Sequence, residues 1–343
     1  MTEDLLRLTP SGLYCPAGDF YIDPWAPVAR AIITHAHADH ARPGSQRYLT
    51  TPTGAPLLAR RVGDAVVQTL PFGERLTIND VTISFHPAGH LLGSAQVRLE
   101  RRGVAWVVSG DYKLERDRTC EPFEPVRCHV FITESTFGLP IYRWPPQAEV
   151  FAEIERWWRT NQENGYTSVL YAYALGKAQR LLAGIDASLG PILVHGAVLP
   201  FIQLYRSAGV ELPEVFHADE MNARLHRGRA LVIAPPSAGH MSGWLRKFGP
   251  CSQAFASGWM TIRGARRRRA LDRGFVLSDH ADWAGLLEAI RATGAEHIGV
   301  THGYASQMAR FLQEAGWRAE VIPTRFTGEA LEEMDAGVDG TVE

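Results

Sequence analysis

The chain has 343 residues, 45% of them hydrophobic, with 35 basic and 37 acidic side chains and a formal net charge of −2. That length suits one large core or about two domains. The balanced charge excludes a globally basic nucleic-acid binder, so any contact with a polyanion must come from a local patch. The four cysteines, Cys15, Cys120, Cys128 and Cys251, form no C-x-x-C pair, which argues against a disulfide framework and a cysteine zinc ribbon. The opening MTEDLLRLTP has no apolar signal core, and no apolar run reaches about 18 residues. The expectation is a soluble, cytoplasmic protein with no membrane partner.

In chain order, the first third reads as short strands. DFYIDPW is strand-like up to Pro24, and ARAIITHAHADH is a buried strand running into a loop. RYLTTPTGAPLLARRVGDAV reads as a strand and then a helix. RLTINDVTISFHPAGH is a hairpin turning at Asn79-Asp80, and AQVRLERRGVAWVVSGD is a second one turning at Arg102-Gly103. HVFITEST is a further buried strand. Such a series suggests two sheets or a layered α/β core. From Gln147 the pattern changes. AEVFAEIERWWRTN places Val150, Ile154, Trp157 and Trp158 on one helical face, read as packing on a core rather than as a base-stacking platform. TSVLYAYALGKAQRLLAGI, PILVHGAVLPFIQLYRSAG and RALVIAPPSAGHMSGWL each start with a strand, as βα units on a parallel sheet do. LGKAQ is not a P-loop, because the earlier Gly and the following Ser/Thr are absent. Near Phe275 the first pattern returns, so one domain is interrupted by another at about residues 140–275. The segment after Thr324 is acidic and Gly-rich and reads as loose.

The string THAHADHARPG crowds His35, His37, Asp39 and His40 into one strand-to-loop turn. Imidazole and carboxylate are common ligands of borderline transition metals, and residues two apart can point the same way. A zinc site needs about four ligands, so others must come from elsewhere. His90 in HPAGHLLGSAQ, Asp111 in AWVVSGDYK and His302 in HIGVTHGY each follow an apolar strand and open a Gly-containing loop. Asp111 is the natural bridge between two metals, although it could also merely cap a turn. His86, inside a hairpin strand, is the poorer choice.

These residues resemble the metallo-β-lactamase superfamily: Asp23, HAHADH, His90 and Asp111 are similar to its first four motifs. TESTFG with Glu134, SDHAD with His280, and VTHGY with His302 resemble the three extra motifs of the β-CASP nucleases. Within that group THAHADHARPGS, AGHLLGSAQV and FITESTFGLPIYRWP are similar to bacterial DNA-ligase-associated exonucleases, whereas His302 follows the pattern of RNA-processing members. The resemblance implies an α/β fold: an αββα metallo-β-lactamase sandwich from residues 1–139 and 276–343, with an inserted α/β β-CASP domain over 140–275. It implies two divalent metal ions, zinc or alternatively manganese. One would be held by His35, His37 and His90, and the other by Asp39, His40 and His302, with Asp111 bridging. It also implies that His280 is a general acid oriented by Glu134, and that Asp23 steadies the histidine loop from behind.

For substrate, the arginines of TIRGARRRR, Arg263 and Arg266 among them, could meet phosphates or form only a solvated face. Ser237, Gly239, His240 and Ser242 in PPSAGHMSGW could make a phosphate nest or only a tight turn. The implied activity is a DNA exonuclease working from a 5′ end of single-stranded DNA in repair, functionally associated with an ATP-dependent DNA ligase and a helicase. The alternative is an RNA-processing ribonuclease. Two further readings fit less well: a thioesterase- or lactonase-like hydrolase does not call for the long insert, and a scaffold subunit does not call for every ligand.

Overall fold

Two tight turns shape the N-terminal third. Arg102 and Gly103, both left-handed at φ 52° and 80°, join the strands Ala95–Arg101 and Val104–Val108. Asn79, at φ 54°, opens the turn between Arg75–Ile78 and Val81–Pro87. Positive φ at the turn matches the twist of the strands it connects. The structure is a computed structural model that describes residues 4–240, 242–262 and 271–325, and it is a mixed α/β protein. The described residues fall into two units, 4–142 with 280–325, and 143–279.

The first unit holds two sheets. One has six strands in the order Arg7–Thr9, Gly12–Cys15, Phe20–Ile22, Arg30–Ile32, Arg47–Thr50 and Val66–Thr69. The other has seven, in the order Arg318–Val321, His297–Thr301, Val130–Glu134, Val104–Val108, Ala95–Arg101, Val81–Pro87 and Arg75–Ile78. Phe20, Ile22, Ile32 and Leu49 of the first pack with Ile83, Phe85, Val97, Leu99 and Ile132 of the second. Alternation sends the next residues the other way: Phe131, Val107, Ile298 and Val300 meet Leu286, Ile290, Met308 and Leu312. Those last four come from the helices Trp283–Thr293 and Ala305–Glu314. Val104–Val108, Val130–Glu134 and His297–Thr301 run parallel, with Val108 opposite Ile132 and Glu134 opposite Thr301. The loops holding Asp111 and His302 therefore leave the same edge, where Glu134 ends its strand; in open α/β sheets that carboxyl edge is where ligands bind.

The second unit is a six-stranded parallel sheet, ordered Phe216–His217, Ile192–Val194, Leu231–Ala234, Thr167–Tyr171, Cys251–Ala256 and Arg273–Phe275. Both faces are covered, which is why LVIA is an unbroken apolar run. One face packs on Val150, Ile154, Trp157 and Trp158 of the helix Gln147–Glu163. The other packs on Ala223 and Phe248. The PPSAGHMSGW stretch forms a short 3₁₀ helix, Pro236–His240, followed by the helix Ser242–Arg246. The reason is local: Pro235 supplies the carbonyl that Ala238 N–H bonds at 3.0 Å, closing the turn. Among the described residues no helix is long and apolar enough to cross a membrane.

Candidate metal centre

The first unit gathers its histidines around one carboxylate. Asp111 Oδ2 lies 3.5 Å from His35 Nε2, 3.6 Å from His40 Nε2, 3.9 Å from His90 Nε2 and 4.0 Å from His280 Nδ1. Its Oδ1 lies 3.8 Å from His302 Nε2. Three groups of potential ligand atoms result: His35, His37, His90 and Asp111; Asp39, His40 and His302; and Asp111, Glu134 and His280. His86 stays in its strand, half-buried, 3.5 Å from Glu124 and outside all three groups.

Local backbone chemistry builds this arrangement. His40 and Ala41 both donate to the carbonyl of His37, so the HAHADH string is wound into a turn. Ser94 Oγ accepts from the amides of His90 and Leu91, and Ala95 N–H donates to Thr34 O at 2.8 Å, tying the His90 loop to the His35 loop. Gly110 sits at φ 57°, and a Cβ there would lie 2.7 Å from the Thr34 side chain, so only glycine lets the Asp111 loop pass. Asp23 and His302 are non-glycine residues at φ 43° and 56°. Such conformations cost energy and cluster where function over-determines them.

Hydrogen bonds assign the ring nitrogens. Asp23 Oδ2 accepts from Thr34 Oγ1 at 2.6 Å and from His40 Nδ1 at 2.8 Å, while its Oδ1 accepts from Thr34 N–H. Thr34 Oγ1 has thus spent its proton and accepts from His35 Nδ1 at 3.0 Å. Thr301 Oγ1 donates to Thr133 O and so accepts from His302 Nδ1 at 2.8 Å. All three rings therefore carry hydrogen on Nδ1, which turns Nε2 toward the cluster, where it is a lone pair whenever the ring is neutral. Nε2 of His40 and Nε2 of His302 face each other at 3.2 Å, and His37 Nδ1 and His90 Nε2 face each other at 3.1 Å. At that range each pair of nitrogens needs either one shared proton or a cation that both ligate. Metal–nitrogen bonds of about 2.0–2.1 Å in a tetrahedron put ligand nitrogens about 3.3 Å apart. His35 Nε2 and Asp111 Oδ1 are buried without hydrogen-bond partners. The residues fit divalent metals.

Electrostatics agree. Burial alone would lower His40, yet Asp111, Asp39 and Asp23 raise it to about 10, so these carboxylates call for a positive charge here, carried by a proton on His40 or by a metal that would displace that proton. Burial, then the His40 charge, pushes His302 down to about 3 and His35 well below its usual range, which keeps both as lone-pair donors. Burial raises Asp111 against the pull of His40. Burial would also raise Asp39 and Glu134, but His40 and His280 respectively hold them below the carboxylate range. Glu134 accepts from His280 Nδ1 at 2.9 Å and from Tyr112 N–H at 2.8 Å.

Thr34 and Thr301 are functional positions that residue-type reasoning missed. The signal was present, since a threonine directly precedes both His35 and His302. Ser237 and Gly239 lie in the second unit, on the 3₁₀ turn after Leu231–Ala234; a Cβ on Gly239 would meet the Tyr171 ring at 2.9 Å. The side chains of His240 and Ser242, and the whole of Arg263 and Arg266, lie outside the described residues.

No family model matches the chain. Over 314 residues it is 33% identical to a protein of Opitutus terrae named Probable DNA ligase, covering 91% of this chain and 30% of that protein. It is 34% identical over 124 residues to Endoribonuclease ysh1 of Aspergillus fumigatus, covering 35% of this chain and 14% of that one. It is 25% identical over 191 residues to Transcription termination factor FttA of a Lokiarchaeum species, covering 52% and 29%. The chain thus spans less than a third of each of these relatives. A crystal structure of a protein of unknown function from Enterococcus faecalis V583 shares the fold, with a TM-score of 0.58, 11% identity and coverage of 87% and 80%. With its motifs from Asp23 to His302 drawn around one carboxylate and nine-tenths of its length aligned to a relative, the chain belongs to the β-CASP branch of the metallo-β-lactamase superfamily.

Proposed function

We propose that this protein is a metal-dependent phosphodiesterase that acts as an exonuclease on single-stranded DNA, from a 5′ end, in DNA repair. The observation that carries the reading is the Asp111 carboxylate ringed by imidazoles, with the His280–Glu134 pair beside it. On this reading the two-sheet unit is the αββα sandwich and the parallel-sheet unit its β-CASP insert. His35, His37 and His90 would hold one divalent ion and Asp39, His40 and His302 the other, with Asp111 between the two sets. Zinc suits this nitrogen-rich set, with manganese as the alternative. When bound, such ions lower the pKa of water and offset charge on phosphate oxygens.

The protein's own groups do the rest. Glu134 takes the His280 Nδ1 hydrogen, which fixes the ring and supports a proton on Nε2 for the departing oxygen. Asp23, through Thr34 and His40, keeps the ligand lone pairs aimed. Ser237, Gly239, His240 and Ser242, together with Arg263 and Arg266, are the proposed phosphate contacts. DNA and a functional link to a DNA ligase are supported by similarity to the protein named Probable DNA ligase over 91% of this chain. An RNA substrate is the second reading, favoured by His302 and by the relative named an endoribonuclease. The deciding test is digestion of DNA and RNA of one sequence, labelled at either end, with 5′-phosphate or 5′-hydroxyl. Faster cleavage of RNA by tenfold would replace the DNA reading, and no metal-dependent cleavage of either would end the nuclease reading.

A further inference from the structure

The second unit buries two cations on one carboxylate. Lys177 Nζ lies 3.4 Å from Asp279 Oδ2, and Arg180 Nε lies 3.0 Å from Asp279 Oδ1. Arg180 Nη1 also donates to the carbonyl of Ser278 at 3.3 Å. The side chains of Lys177 and Arg180 are 0% and 1% exposed. Neither the metal centre nor the proposed phosphate contacts use them.

Nothing in the local fold invites a lysine at this position. Lys177 is the first residue of the helix Lys177–Gly184, where the backbone end carries partial positive charge and disfavours a cation. Its burial adds a desolvation cost. A helix start also exists without it: Gln179 accepts from Gly176 N–H at 2.7 Å and donates to Ala174 O at 3.0 Å. The ammonium lies 4.4 Å from the Tyr173 ring centre, which lines it but brings no counter-charge. Asp279 supplies that charge, and the next residue in the chain is His280.

We propose that Lys177 and Arg180 are positioning residues for His280. By gripping the Asp279 carboxylate and the Ser278 carbonyl they fix the backbone just before the histidine, and so the distance its Nδ1 keeps to Glu134. They touch no substrate and hold no metal. The inference builds on the role proposed for His280, and small misplacements of a reacting group lower rates steeply.

Its first test is independent of turnover. In full-length protein labelled with 15N-histidine, the Nδ1–H of His280 bonded to Glu134 should give a low-field proton resonance that His280→Ala removes. Lys177→Met and Asp279→Asn should shift or broaden that resonance while the other histidine signals stay. Lys177→Arg, which keeps the charge, should restore it. Arg180→Lys covers the case in which the first two variants fail to fold, and it should move the resonance as well. An unmoved resonance in any folded variant among these three overturns the proposal, whether or not the wild type cleaves nucleic acid.

The second test uses cleavage. Lys177→Met should lower kcat roughly tenfold to hundredfold with KM within about twofold, as expected for a misplaced group. In a His280→Ala background the same change should cost nothing further, because both act through one ring. An equal loss in both backgrounds would mark a merely structural role and overturn the proposal. Wild-type protein that cuts neither DNA nor RNA would instead defeat the proposed function and leave the resonance test to decide the positioning role.

Discussion

Asp23 accepts three hydrogen bonds, from Thr34 N–H, Thr34 Oγ1 and His40 Nδ1, and makes none of the contacts expected of a ligand to the cluster. An amide at this position can turn an N–H toward His40 and drive that ring's hydrogen onto Nε2, removing the lone pair. Asp23→Asn should therefore weaken metal binding roughly 10- to 100-fold, as loss of such supporting partners does. Competition against a chromophoric chelator measures it, and an unchanged affinity would refute the assignment. His280→Ala should keep the metals and cut turnover by about 10²–10⁴, the span of a general acid. A substrate with a better leaving group should recover part of that loss. If metal is lost instead, His280 belongs with Asp111 and Glu134 as a ligand. Which residue types to examine was legible in the sequence, because several histidines in one turn after an apolar strand are rare without a reason. The ring tautomers were not, since each depends on a partner such as Thr133 or Asp23, far from its histidine in the chain.

At the scale of elements, hairpins and βα units were readable because their signals are local: a turn pair such as Arg102-Gly103, or an apolar run followed by a helical face. Gly110 shows the opposite case, since its necessity comes from Thr34 on another strand's loop. Gly110→Ala combines a left-handed φ with a clash. It should cost about 1–3 kcal/mol of stability, and it should lower metal content because Thr34 holds both Asp23 and His35. Melting and metal analysis unchanged from wild type would sink this. In the second unit, His195 follows the strand Ile192–Val194, and burial first, then Lys247 and His217, lowers its pKa to about 4. The unfolded chain binds that proton at about 6.5, so the native state is favoured above that pH. The advantage is lost as pH falls from about 6.5 toward 4. Denaturant unfolding at pH 7 and pH 5 should show a smaller drop for His195→Gln than for wild type. An equal drop in both would assign the acid sensitivity elsewhere.

For the whole molecule, the seven ligand-type residues predict about two divalent ions per chain when no chelator is used in purification. Elemental analysis giving one ion or none, in protein that still cleaves, would contradict the arrangement. Chelation should abolish cleavage and readdition of metal should restore it. The chain covers 30% of the relative named Probable DNA ligase, so a shared task with a ligase is a property to test. Activity measured with and without an added ATP-dependent ligase tests that directly.

By itself the sequence determined the kinds of element, the apolar faces and the residues able to bind metal, because periodicity, turn chemistry and ligand chemistry are written residue by residue. Tertiary structure alone decided which atoms meet. Asp111 and His302 are far apart along the chain, and they converge only because parallel strands end at one edge. The same holds for Lys177, Arg180 and Asp279: a lysine in LGKAQR and an aspartate in SDHAD carry no mark of one another, and pairing appears only when burial leaves each cation no solvent to turn to.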